Sequence, residues 1–100
     1  MEDITVQELK TRIDNGEKLN IIDVRESYEY EDFNIGGRLI PLAELPSMVD
    51  DLTDLKDSEV IVHCRSGNRS ATAKAFLSSQ GFTKVRNLLG GMMDWQAHFS

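Results

Sequence analysis

The residues best suited to chemistry lie together in Val60–Ala75, VIVHCRSGNRSATAKA. Val60-Ile61-Val62-His63 reads as a buried strand, and the sole cysteine, Cys64, follows it. Arg65-Ser66-Gly67-Asn68-Arg69-Ser70 is a polar loop, after which Ala71, Ala75 and Leu77 take up a helical period. A loop that opens a helix gathers backbone N–H groups and the positive end of the helix dipole. Arg65 and Arg69 add two full charges, and no acid lies between Cys64 and Phe82. These effects favour thiolate over thiol, and thiolate is the nucleophile. A lone cysteine commonly serves as a small buried hydrophobe. Packing alone, however, needs neither Gly67 three residues on nor Arg69 five residues on. Cys64 is therefore the candidate catalytic nucleophile, inside a loop shaped for an anion or a charged sulfur.

The elements that must position this loop alternate in type. Thr5 with Glu8 forms a capping-box pattern, and Val6, Leu9 and Ile13 recur at helical spacing up to the stop signal Asn15-Gly16. Asp3-Ile4-Thr5 ahead of it reads as a short edge strand or an extended entry. Leu19–Val24 is a buried, parallel-type strand. Ser27 is the expected cap of a short acidic helix through Glu31. Arg38-Leu39-Ile40 is a short strand ended by Pro41, and Ala43–Leu55 is helical in pattern with an early break at Pro46. The helix after the loop runs to about Gln80 and stops at Gly81. Val85–Leu88 is the last strand, and a final helix carries Met92, Met93 and Trp95. Strands alternating with helices predict an α/β fold with a mainly parallel sheet. Sites in such sheets form at the C-terminal ends of strands, where Cys64 falls.

Composition narrows the class of function. One hundred residues, 40% hydrophobic and 28% charged, fit a single globular domain. No apolar run is long enough to span a bilayer. Met1-Glu2-Asp3-Ile4 shows no signal-peptide pattern, and one cysteine cannot form an internal disulfide, so a reducing, cytoplasmic setting is expected. Residues 1–59 carry a net −10 and residues 60–100 a net +4. The acidic half argues against non-specific nucleic-acid or membrane binding, and the basic half holds the loop. His63 precedes the thiol, but adjacent strand residues point to opposite faces, so it is not expected to act as its base. Asp23 and Arg25 read first as a structural ion pair and second as supports for the loop. The Glu26–Asp32 acids read as a solvated face, and Trp95 reads first as packing and second as a wall of the site mouth. No ligand pairs at helical spacing predict a metal site.

The chain resembles a single rhodanese domain over essentially its whole length. Asp23-Val24-Arg25-Glu26 with Glu29-Tyr30 looks like that family's first motif, VIVHCRSGNRSA like its active-site loop, and Leu88-Leu89-Gly90-Gly91 with Trp95 like its C-terminal motif. One segment departs from the usual pattern: Asn34 stands for a histidine, Gly36 for a proline and Arg38 for a small residue. The resemblance implies residues 1–100 as one rhodanese domain. Its fold would be three-layered, with a central, mainly parallel, five-stranded sheet and helices on both faces. It also implies a sulfurtransferase without metal or organic cofactor. Cys64 would carry a persulfide, and the loop Arg65, Ser66, Gly67, Asn68, Arg69 and Ser70 would stabilise it. The donor would be small, thiosulfate or a persulfide. The acceptor would be a thiol, cyanide or a protein. A delivery module working only with a protein partner is an alternative. A cysteine-dependent phosphatase or arsenate reductase is another, since the tyrosine-phosphatase signature also reads HC and then RS. That signature places one residue more between Cys and Arg than the four found here.

Overall fold

Every residue of β3 (Val60–His63) is buried, which is why this run lies inside the sheet rather than at its edge. In the computed structural model, which describes residues 1–99, β1 (Asn20–Asp23) and β4 (Val85–Asn87) flank it. The short β2 (Arg38–Leu39) completes a sheet of order β2-β1-β3-β4, with all pairs parallel. Side chains alternate across it. Ile22, Val60 and Val62 face Leu45, Leu52, Ala73 and Leu77 on one side. Ile21 and Ile61 face Val6, Leu9, Met92 and Trp95 on the other. Burying each such aliphatic side chain contributes about 1.5–3 kcal/mol relative to leaving it in water. Helices α1 (Val6–Asp14) and α5 (Gly91–Phe99) thus cover one face. Helices α3 (Leu45–Met48) and α4 (Asn68–Ser79) cover the opposite one. The three-layer α/β expectation holds.

The sheet has four strands where the resemblance implies five. Only Ile4 of the N-terminal segment pairs, as an isolated parallel bridge to Leu88. The reason is local: Thr5 already caps α1, accepting a hydrogen bond from Glu8 N–H at 3.1 Å, so no length is left for a strand. The Glu8 carboxylate does not close the capping box and instead pairs with Arg86 (2.8 Å). Helix α2 (Ser27–Asp32) is capped by Glu26 rather than Ser27, and Glu26 N–H donates to Glu29 Oε1 at 3.1 Å. The expected helix over 43–55 is mostly 3₁₀: turns at Leu42–Glu44 and Val49–Leu55 flank α3. Pro46 sits in the first turn of α3, and the Asp- and Thr-rich run behind it has low helix propensity.

Candidate active site

Cys64 follows β3 directly, and its side chain is turned to the face opposite His63, as the two-residue period of a strand requires. The thiol is almost wholly enclosed, at 1% exposure. Gly67 N–H donates to Sγ at 3.1 Å, while Ser70 N–H and Ser70 Oγ each lie 3.4 Å from it. Burial opposes a charge on this sulfur. The hydrogen bonds from the Ser70 hydroxyl and N–H, and from the Gly67 and Ser66 N–H groups, outweigh it and hold the thiol below its ordinary pKa.

The geometry of the loop explains why its N–H groups converge. Met92 N–H, in the first turn of α5, donates to the Cys64 carbonyl at 3.0 Å, and Met93 N–H donates to the Arg65 carbonyl at 2.9 Å. A trans peptide points its C=O and N–H in opposite directions, so anchoring the carbonyls on α5 turns the following N–H groups inward. Gly67 then turns the chain at φ +108°, a left-handed conformation that glycine adopts without steric cost, and caps α4. Two residues outside the predicted site set, Asn87 and the Gly91 of the C-terminal motif, complete the cradle. Asn87, at the end of β4, donates from Nδ2 to the Gly67 carbonyl (3.1 Å) and accepts from the Ser70 hydroxyl (2.5 Å). Gly91 lies against the Cys64 and Arg65 carbonyls, where a Cβ would approach to 2.5 and 2.6 Å. Asn87 had one visible signal, a polar side chain amid the apolar run at the C-terminal end of a parallel strand.

The remaining predicted residues divide by position. Arg69 does not aim at the sulfur. Its guanidinium grips both carboxylate oxygens of Glu29, at 2.7 and 2.9 Å, and so ties the loop to α2. Glu29 is therefore no part of a solvated face: the Arg69 hydrogen bonds, against the cost of burial, hold its carboxyl down to about 2. Arg25 and Asp23 form a buried pair with contacts of 2.8 to 3.1 Å, and Arg25 also donates to the Phe33 carbonyl. Arg65 is exposed and makes no ion pair among the described residues. With Arg25, Tyr28, Asp32 and Met92 it lines a cleft of about 300 Å³. Asn68 is exposed at the start of α4, and Ser66 borders an open depression with Met93 and Asp94. Trp95 and Met92 belong to the core, while Met93 is 52% exposed.

His63 is fully buried, and among the described residues neither ring nitrogen has a hydrogen-bond partner. Its Nε2 lies 3.8 Å from Asp23 Oδ2, its neighbour across the β1–β3 register. Burial dominates and lowers its pKa to about 4. Acid stability follows with a definite sign. Between pH 6.5 and 4 the unfolded chain binds a proton at His63 that the folded chain refuses, so stability falls as pH falls, by on the order of 2–3 kcal/mol. The Glu29–Arg69 pair, partly exposed and so partly screened, then loses about 1–2 kcal/mol as pH falls from 4.5 towards 2. Urea unfolding across pH should show both windows; His63→Leu should flatten the upper one and Glu29→Gln the lower. A His63→Leu profile parallel to that of the parent would contradict the assignment.

A family model described as Rhodanese-like domain matches residues 5–98. The chain belongs to the rhodanese-like domain family. A sulfurtransferase of Allochromatium vinosum is 32% identical over 98% of this rhodanese-like chain and 91% of its own length. YrkF of Bacillus subtilis, named as a candidate sulfur carrier, is 40% identical over 93% of the chain, which spans 50% of that longer protein. Among solved structures, the human single-domain sulfurtransferase TSTD1 superposes with a TM-score of 0.83 at 25% identity, covering 98% of this chain and 97% of that one. Relatives carrying these names support sulfur transfer as the general chemistry of this rhodanese-like fold. Among the described residues no helix is long and apolar enough to cross a membrane.

Proposed function

We propose that the chain, residues 1–100 acting as one rhodanese domain, is a thiosulfate-type sulfurtransferase that works through a persulfide on Cys64. The observation that carries this reading is the convergence of Gly67 N–H, Ser70 N–H and Ser70 Oγ on one sulfur, within a loop of four residues between Cys64 and Arg69. In the first half-reaction the Cys64 thiolate attacks the outer sulfur of the donor. The new S–S bond forms as the donor's own bond breaks, and the leaving group (sulfite, from thiosulfate) departs with the electron pair. In the second, an acceptor thiolate or cyanide attacks the outer sulfur and returns the electron pair to Cys64. Arg65, exposed beside the cleft, steers an anionic donor. Arg69 acts on the loop's shape through Glu29. No second cysteine exists to release the sulfur internally, so turnover depends on an external acceptor.

Incubation with thiosulfate followed by intact-mass measurement tests the reading. The expected result is a gain of one sulfur atom, removed by cyanide and absent in Cys64→Ser. No adduct from either thiosulfate or a low-molecular-weight persulfide would overturn it. A protein acceptor is favoured by a separate observation: Tyr28, 71% exposed, and Met93, 52% exposed, line the two depressions that Arg65 and Ser66 border. Apolar side chains left in water beside a buried thiol fit a macromolecular partner better than a small anion.

A further inference from the structure

The Ser70 hydroxyl has one proton and two neighbours that call for it. Its oxygen lies 2.5 Å from Asn87 Oδ1 and 3.4 Å from Cys64 Sγ. The orientation of the Asn87 amide is set by its other contact. The Gly67 carbonyl, 3.1 Å away, can only accept, so the amide nitrogen faces it and the amide oxygen faces Ser70. An amide oxygen cannot donate. The short Ser70–Asn87 contact therefore consumes the hydroxyl proton and leaves a lone pair of Ser70 Oγ towards the sulfur. That arrangement suits a neutral thiol, whose S–H can donate to the lone pair. It does not suit a thiolate or a persulfide anion, which needs the proton itself.

We infer that Asn87 is a positioning residue that acts on Cys64 through Ser70, its amide oxygen holding the hydroxyl proton while the sulfur is neutral and yielding it when the sulfur is charged. Only hydrogen bonds change in the switch. The S–H proton leaves to solvent, the Ser70 hydroxyl rotates from Oδ1 to Sγ, and Asn87 Nδ2 stays on the Gly67 carbonyl. The Gly67 N–H, 3.1 Å from the sulfur, is thereby kept in place in both states. All three side chains are at most 7% exposed, so water does not readily replace a lost partner. Asn87 is held in turn by its own N–H, which donates to Asp3 Oδ1 at 2.9 Å, and by its carbonyl, which accepts from Ile4 N–H at 3.0 Å. The inference rests on Cys64 being the working nucleophile, but its test does not require sulfur transfer.

Cys64 is the only cysteine, so the pH dependence of alkylation by iodoacetamide reads its acidity directly. Four chains are compared: the parent, Asn87→Ala, Ser70→Ala and the double variant. The charged and titratable groups around the loop (His63, Arg65, Arg69 with Glu29, Asp23 with Arg25, Asp94) are common to all four and cancel in the cycle. Loss of the Gly67 anchor acts equally in both backgrounds. Release of the Ser70 proton acts only where Ser70 is present. The midpoint shift caused by Asn87→Ala should therefore be more acidic with Ser70 than in the Ser70→Ala background, by about half a pH unit or more. Ser70→Thr, which keeps the hydroxyl, should restore the coupling. If Asn87→Ala does not fold by circular dichroism, Asn87→Asp replaces it. Its carboxylate takes the proton more strongly, so its alkaline shift should be larger with Ser70 than in the Ser70→Ala background. Equal shifts in the two backgrounds would overturn the inference, leaving Asn87 a loop anchor. Coupling without sulfur uptake would uphold the switch and count against the sulfur-transfer reading instead.

Discussion

Gly91→Ala is expected to unseat the Cys64 loop. The new methyl group would stand 2.5 Å from the Cys64 carbonyl oxygen and 2.6 Å from that of Arg65, at a backbone φ of +56°. Both obstacles are main-chain atoms, so no side chain can swing away. A left-handed alanine costs roughly 1–2 kcal/mol, and forced overpacking adds about 1–3 kcal/mol. For a chain of this size the sum lowers Tm by about 10 °C or more. Activity should suffer beyond stability. The carbonyls that would move are those held by Met92 and Met93 N–H, and their peptide planes aim the loop. Sulfur uptake on Cys64 should fall at least about tenfold at a temperature where the variant is folded. Gly16→Ala is the control: its φ is +76°, nothing lies within 4 Å, and only the backbone cost of roughly 1–2 kcal/mol applies. Equal Tm changes for the two variants would refute the close-packing account.

Arg25→Ala should be the most damaging substitution away from the loop. Asp23 is completely buried, and Arg25 satisfies both of its carboxylate oxygens. Removing the guanidinium leaves a buried carboxylate with the Arg25 backbone N–H at 3.0 Å as its remaining hydrogen-bond donor among the described residues. Breaking one side of a buried pair costs about 3–5 kcal/mol at neutral pH, a large share of the stability of a small domain. Asp23→Asn combined with Arg25→Ala removes the stranded charge and should recover about half of that loss. Urea denaturation of the three variants decides it. A double variant no more stable than Arg25→Ala alone would show that the guanidinium acts by packing, not by charge. The effect would reach the site as well, because Arg25 also fixes the Phe33 carbonyl and lines the cleft beside Arg65.

Arg69 and Glu29 illustrate how the fold pairs residues that the sequence keeps apart. The arginine five places after the thiol is where the sequence predicts it, yet its charge is spent on an acid forty residues earlier. No local pattern announces that partnership. Glu29 lies in an acidic stretch whose other members, Glu26, Glu31 and Asp32, are exposed. Only the approach of α2 to the first turn of α4 singles it out. The missing fifth strand has the opposite cause, a purely local one: Thr5 serves the helix and leaves Ile4 alone to pair.

The sequence by itself determined the strand–thiol–loop–helix order, the count of four residues between Cys64 and Arg69, and the separation of His63 from Cys64 onto opposite faces. These depend on the backbone's own periods and on the charges and glycine within a few residues of each other, so they are local. The tertiary structure alone decided which groups hold the thiol loop in shape. Asn87, Gly91 and Glu29 reach it because parallel pairing puts the ends of β1, β3 and β4 side by side, and because burial of Val6, Leu9, Met92 and Trp95 seats α5 over the loop. That register is set by apolar surfaces spread over the whole chain. The loop from Cys64 to Ser70 is therefore readable as an anion-seeking thiol from its own residues, while its aim is set by residues that the sequence keeps apart from it.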